Sequence, residues 1–300
     1  MKKKSDIQRE VTIVSDSCRH PYTCDAPIYK VGVVLSGGGA RGFAHAGFFK
    51  AMDELGVRPN VISGTSAGAI AGVMYAGGKS PDAMLDIFSN IRLLQLPRFR
   101  ANGRNPDAGK DKRNHHLLFK AKDLLQILRQ NLPKTTFEGL NIPLVVNATS
   151  LERGQNVYFY TGDVLKPVVA SSAIPMVFKP VLIDGQHYVD GGVMQNLSVS
   201  PIRRACKYVI AMHVNPLEDY SAHGRMYEPE WERIFKLMIR ANTFTDKEQV
   251  DLFIEPSELV RYKITETRLG SEMFWIGYYE AKQSLEAFIR EHPDIVDGQE

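Results

Sequence analysis

Cysteine is scarce. Cys18, Cys24 and Cys206 are the three in 300 residues, too few and too scattered for a disulfide framework or a four-thiolate zinc site. A reducing compartment is the simplest consequence, with free thiols. Charge of one sign is missing as well: 37 Lys and Arg face 34 Asp and Glu, a formal net charge of +3. A chain so near balance is not marked by charge as a nucleic-acid binder, so any basic patch must be local. Nor is there a long apolar run. Pro59 to Gly78 carries no charge over twenty residues, about the length of a bilayer helix. Its five glycines, two serines and a threonine divide it instead into a strand, a turn and a helix, so no transmembrane span is expected there. Met1 to Glu10 is charged and lacks an apolar core. No secretory signal is expected, and the cytoplasm is the expected location.

What is present suits a folded enzyme-sized domain. With 44% apolar and 24% charged side chains, the chain can bury a sizeable core. Residues 1–26 are polar and aperiodic and are expected to form an extension, with a single domain over 27–300. β-branched runs predict strands at Val31–Leu35, Val61–Ser63, Leu144–Thr149, Val157–Tyr160 and Tyr208–Val214. Helical patterns alternate with them at Phe43–Leu55, Ala67–Ala76, Pro81–Ile91, Lys122–Gln130, Asp163–Ala170, Ser198–Ala205, Pro229–Asn242 and Ser271–Arg290. Such alternation predicts an α/β fold, a mainly parallel sheet with helices on both faces. Residues 97–122 interrupt the pattern. They hold eight Lys or Arg against two Asp, and a loop this long inside a domain is usually functional or disordered.

Three groups of residues carry chemistry. The first is Ser36-Gly-Gly-Gly-Ala-Arg-Gly42, which follows a buried strand and opens a helix. Successive glycines leave backbone N–H groups bare to converge on an anion at the helix's positive end. Gly37, Gly39 and Gly42 also fit the dinucleotide pattern G-x-G-x-x-G, but the next strand ends in Gly64-Thr-Ser-Ala-Gly68 and lacks the acidic residue that would hold a ribose.

That pentad is the second group. Gly64 and Gly68 permit a sharp strand-to-helix turn that presents the Ser66 hydroxyl at a helix N-terminus, as a nucleophile requires. Beside a bare-amide cradle the pattern gains weight, since acyl transfer needs both an attacking hydroxyl and donors for the oxyanion, each worth about 3 kcal/mol.

A serine nucleophile also needs a base. The eight histidines lie in polar, terminal or basic stretches, or at His45, His187 and His213 in places where a structural or surface role is the plainer one. Asp190 differs. In Tyr188-Val-Asp-Gly-Gly-Val193, Gly191 and Gly192 clear space around the carboxylate, although an ordinary Asp-Gly turn would read the same way.

Together, Val31 to Leu55, Gly64 to Gly68, Ala170-Ser-Ser-Ala-Ile-Pro175 with Phe178, and Asp190-Gly-Gly192 resemble the patatin-like phospholipase family in order and spacing, over roughly residues 29–215. The resemblance implies a three-layer α/β/α fold and a Ser/Asp dyad that hydrolyses acyl esters of lipids with no metal or cofactor. By position it makes Ser66 the nucleophile, Asp190 the proton acceptor, and Gly37, Gly38, Gly39 and Arg41 the oxyanion loop; Gly42, Gly64, Gly68, Gly191 and Gly192 complete the motifs. Many relatives continue from Asp-Gly-Gly to Asn-x-Pro, where this chain reads Asn196-Leu-Ser-Val-Ser-Pro201, which alters the expected pocket wall. The C-terminal aromatic cluster from Phe274 to Tyr279 matches only loosely.

Other readings stay open. A Ser-His-Asp esterase would use His213 or His223, although few strands precede Ser66 for that fold. A nucleotide binder would use the glycine turn, and a silent scaffold would use neither. The basic segment, with Leu117, Leu118 and Phe119, is suited to peripheral contact with an anionic membrane, a solvated loop being the plainer alternative.

Overall fold

A computed structural model describes residues 27–90, 121–175, 177–217 and 230–296. The expected extension, 1–26, and nearly all of the basic segment lie outside them, as do His20, His115, His116, His223, Cys18 and Cys24. Among the described residues one sheet holds eight strands: β1 (Tyr29–Leu35), β2 (Val61–Thr65), β3 (Leu144–Ser150), β4 (Gln155–Phe159), β5 (Val181–Ile183), β6 (Gln186–Asp190), β7 (Cys206–Met212) and β8 (Leu252–Ile254). Their order is β5-β6-β3-β2-β1-β7-β8, with β4 on the remaining edge of β3. From β3 to β8 that path is parallel, while β4, β5 and β6 pair antiparallel. The helices are α1 (Phe43–Glu54), α2 (Ala67–Ala76), α3 (Pro81–Asn90), α4 (Ala121–Asn131), α5 (Leu165–Ser171), α6 (Glu230–Lys247) and α7 (Gly270–Glu291).

This is the expected three-layer α/β/α arrangement. β1 shows why. Val31, Val33 and Leu35 join the larger core with α1, α2 and α7, whereas Val34 joins Val61, Val145 and Val209 in a second core on the other face. A strand buried on both sides reads as an unbroken apolar run, the mark of a parallel interior strand. On the larger face α1 and α7 cross closely because neither Gly47 nor Gly277 carries a Cβ, which would collide with the Phe274 and Ala44 carbonyl oxygens respectively. α2 is the short helix into which the charge-free stretch resolves; no described helix is long and apolar enough to cross a membrane.

One expectation needs correction. The region expected to be a helix over Ser198–Ala205 holds a single 3-10 turn, Arg203–Ala205. Pro201 withholds an amide, and the backbone is instead tied to the sheet, with the Ser63 hydroxyl donating to the Ser198 carbonyl at 2.7 Å. Asp190 caps the 3-10 turn Gly191–Val193, its side chain accepting from Gly192 N–H. It closes β6, whose hairpin with β5 turns on Asp184 and Gly185, both at positive φ, the conformation of a two-residue type I′ turn.

The sheet positions the site. The chain leaves β1 toward β2 on one side and later returns as β7 on the other. The C-terminal ends of β1, β2 and β7 therefore meet at a topological switch point, where α/β sheets bind ligands.

Candidate active site

The glycine turn begins where β1 ends. Ser36 anchors it: its N–H donates to the Met212 carbonyl at 3.1 Å, and its hydroxyl donates to the Gly37 carbonyl while accepting from Val214 N–H, each at 3.0 Å. The Gly37 N–H is directed to the Asn196 carbonyl, 3.3 Å, and Ala40 N–H to that of Ile264, 2.7 Å. Between them, the N–H groups of Gly38 and Gly39 have no acceptor among the described residues. Glycine is required at position 39, where φ is +58° and a Cβ would strike the Ile264 carbonyl.

Ser66 sits at the end of β2 with φ 54° and ψ −120°, one of two non-glycine residues at positive φ among those described. Holding a serine there costs on the order of 1–3 kcal/mol, so the surroundings must enforce it. They do so from two directions. A Cβ on Gly68 would collide with the Leu35 carbonyl, and one on Gly64 would lie 2.7 Å from the Gly68 oxygen, so the glycines let α2 begin hard against β1 and β2. From the other side Ser66 N–H donates to the Ser171 hydroxyl at 2.8 Å, and the Ser172 hydroxyl donates to the Ser66 carbonyl at 3.4 Å. Gly42 lets α1 start beside the same turn, since its Cβ would be 2.7 Å from that of Ala67.

Asp190 reaches this place from the far side of β3. Its N–H donates to the Ala173 carbonyl at 3.0 Å and its carboxyl Oδ1 accepts from Gly192 N–H at 2.8 Å. A Cβ on Gly191 would be 2.5 Å from the Asn147 carbonyl; the first glycine thus allows close packing and the second supplies the donor. The other oxygen, Oδ2, is buried without a hydrogen-bond partner. Burial pushes the Asp190 carboxyl up to about 7, against the opposing pull of the Ser66 hydroxyl and the Gly192 N–H.

Gly37, Gly38, Gly39, Ser66 and Asp190 line one hollow of about 250 Å³ with Ile174, Asn196, Asn215, Ile239 and Ile264. Gly39, Ser66 and Ile174 are shared with a larger cleft of about 670 Å³ whose other walls include Phe43, Ile70, Phe88, Leu124 and Phe178. A serine hydroxyl beside an apolar cleft suits an ester with a hydrocarbon arm.

Other sequence candidates lie elsewhere. Arg41 is buried, but its guanidinium turns away: Nε donates to the Tyr262 carbonyl at 2.8 Å and a terminal nitrogen is directed to that of Val260 at 3.5 Å. It lines neither the hollow nor the cleft. His45 is fully buried against the Ser36 carbonyl, 2.8 Å, and burial pulls its imidazole down to about 4. His187 pairs with Glu152 at 2.7 Å, and His213 with Glu255 at 2.6 Å in a separate cleft. Among the described residues no histidine lines the hollow. Cys206 is buried, and burial pushes its thiol up to about 12, away from the thiolate form that reactive cysteines use.

Four residues that pack around Ser66 and Asp190 escape sequence reasoning: Ser171, Ser172, Asn196 and Asn215. Three of them stand inside motifs already quoted, Ser171 and Ser172 before Pro175 and Asn196 after Asp-Gly-Gly, so a signal existed. Asn215 had none. Its amide nitrogen donates to the Gly37 carbonyl.

A family model described as patatin-like phospholipase matches residues 33–203. An NTE family protein of Mycobacterium tuberculosis is 32% identical over 183 residues, 58% of this chain and 45% of its own length. Lysophospholipase nte1 of Emericella nidulans is 27% identical over 218 residues, 72% of this chain but 14% of its own. The chain thus spans less than half of either relative in the matched region. Among solved structures, VipD from Legionella pneumophila aligns over 87% of this chain and 67% of its own, with a TM-score of 0.47 and 16% identity.

Proposed function

The chain belongs to the patatin-like phospholipase family, and from that premise we propose that it is a lipid acyl hydrolase, cleaving the carboxylic ester bond of a phospholipid-like substrate with a Ser66/Asp190 dyad. The observation that carries this reading is the convergence of a strained Ser66, a buried Asp190 and the unengaged Gly38 and Gly39 amides on one hollow.

In this mechanism Ser66 Oγ attacks the ester carbonyl carbon and its proton passes to Asp190, whose free oxygen Oδ2 is the available acceptor. An ordinary aspartate is too acidic to be an effective base, and a carboxyl near 7 is better matched to the task. The carbonyl electrons move to an oxyanion, which the Gly38 and Gly39 N–H groups receive at the turn. Collapse breaks the ester C–O bond, and the departing alkoxide takes the proton from Asp190. Water then attacks the acyl-serine, losing a proton to Asp190; the fatty acid leaves and Ser66 recovers its hydrogen. Arg41 acts through the loop it anchors. The apolar cleft takes the acyl chain, and no metal or cofactor enters any step.

The basic composition of residues 97–122 supports peripheral attachment to anionic lipid, which co-sedimentation with vesicles at low and high salt would test. The dyad is tested by labelling with a fluorophosphonate probe: wild type labels at Ser66 and Ser66→Ala does not, whereas an unlabelled wild type overturns the reading.

A further inference from the structure

Beside the hollow lies a second cleft, of about 600 Å³, that the proposed mechanism leaves unused. His213, Asn215, Arg240, Thr243, Lys247 and Glu255 contribute its polar walls. It belongs to the same end of the sheet: His213 follows β7, Glu255 follows β8, and α6 contributes Arg240, Thr243 and Lys247. Asn215 lines the cleft and the hollow alike, and α6 presents Ile239 to the hollow and the next residue, Arg240, to the cleft.

Its charges are unbalanced. Glu255 is engaged by His213 Nδ1 at 2.6 Å. Arg240 and Lys247 make no ion pair among the described residues; they lie against the rings of Phe244 and Phe253 respectively. Two of its lining residues each bury a polar atom without a partner, His213 Nε2 and Asn215 Oδ1, the latter beside Gly38. Glu255 also feels both cations, yet Arg240 and Lys247 outnumber it in the cleft, and two cations in a concave site can receive an anion.

An ester lying in the hollow has two arms. If its acyl arm fills the apolar cleft, its alcohol arm has the polar cleft beside it. We propose that this cleft is the subsite for the phosphate group on the leaving alcohol of the lipid, bound by Arg240 and Lys247. The inference rests on the hydrolase reading for its substrate, and a separate measurement frees it from that dependence.

Hydrolysis of a 1-acyl lysophospholipid and of the 1-monoacylglycerol with the same chain is compared in wild type and in Arg240→Ala/Lys247→Ala, both exposed helix positions where alanine is well tolerated. The ratio of kcat/KM for phosphate-bearing over neutral substrate is expected to fall about tenfold in the double variant, as KM for the phospholipid rises. An unchanged ratio overturns the assignment. In parallel, glycerol 3-phosphate and inorganic phosphate are titrated in thermal-shift measurements on both proteins. Stabilisation of wild type by glycerol 3-phosphate that the double variant lacks is the expected result, and no stabilisation counts against the subsite. Stabilisation by either compound combined with an unchanged substrate ratio makes this a site for free phosphate and ends the head-group assignment. If neither ester is turned over, the hydrolase reading falls, and the thermal shift alone decides whether the cleft binds phosphate.

Discussion

The Ser66 hydroxyl favours the charged form of the Asp190 carboxyl, yet no full hydrogen bond joins the two, and Oδ2 is left open. Catalytic contacts are often long before substrate arrives and tighten in the Michaelis complex. Ser66→Ala and Asp190→Asn are therefore each expected to lower kcat/KM by roughly 10³-fold or more, with circular dichroism unchanged. Turnover within about tenfold of wild type in either variant removes that residue from the dyad.

Because Asp190 must be ionised to accept a proton and its carboxyl lies near 7, kcat/KM is expected to rise about tenfold per pH unit up to that value and then level off. Asp246 is a second buried carboxyl near 7, pushed up by burial and opposed by a hydrogen bond from Gln195. It lines neither the hollow nor the apolar cleft. Asp246→Asn should preserve the acid limb, so a limb that disappears in this variant reassigns it.

The same group makes a prediction for stability. The folded-state pKa of Asp190 lies above its unfolded value of 3.8, so folding favours the protonated form. Its contribution is fully present below about 4 and is lost as pH rises to about 7. Asp190→Asn removes that loss while retaining an acceptor for Gly192 N–H. Relative to wild type, its Tm should be similar near pH 4, move higher between pH 4 and 7, and keep a constant lead above 7. The lead corresponds to a few kcal/mol as an order of magnitude. Parallel Tm curves across that range contradict a raised carboxyl.

Arg41 anchors the glycine turn to the segment before α7 through the Tyr262 carbonyl. Arg41→Lys keeps the charge and loses the planar fork. It is expected to cost about 1–3 kcal/mol of stability by denaturant unfolding, with a fall in activity that follows loop displacement. Full stability with a selective loss of kcat would return Arg41 to the oxyanion loop.

Ile70 stands on α2, facing the apolar cleft one turn after Ser66. Ile70→Trp fills that trough, so kcat/KM for long-chain esters should drop roughly tenfold while that for an acetyl ester holds, a difference of about 1–3 kcal/mol of lost chain burial. Equal effects on both would place the acyl chain elsewhere.

Sequence alone carries the features that local covalent geometry governs. The run Val31–Leu35 before three glycines, and Gly64 and Gly68 around Ser66, are legible because strand burial, tight turns and a strained φ depend on near neighbours. The β5–β6 hairpin was equally local, signalled by Asp184-Gly185, yet strands of three and five residues give little periodicity to detect. Tertiary structure alone decides the remainder, because it depends on where distant segments pack. Burial, which no sequence pattern states, brings Asp190 near neutrality. A carbonyl more than two hundred residues away draws Arg41 from the hollow, the pairing with Glu255 takes His213 into another cleft, and the crossing of β7 beside β1 delivers Asn215 to a wall shared by two cavities.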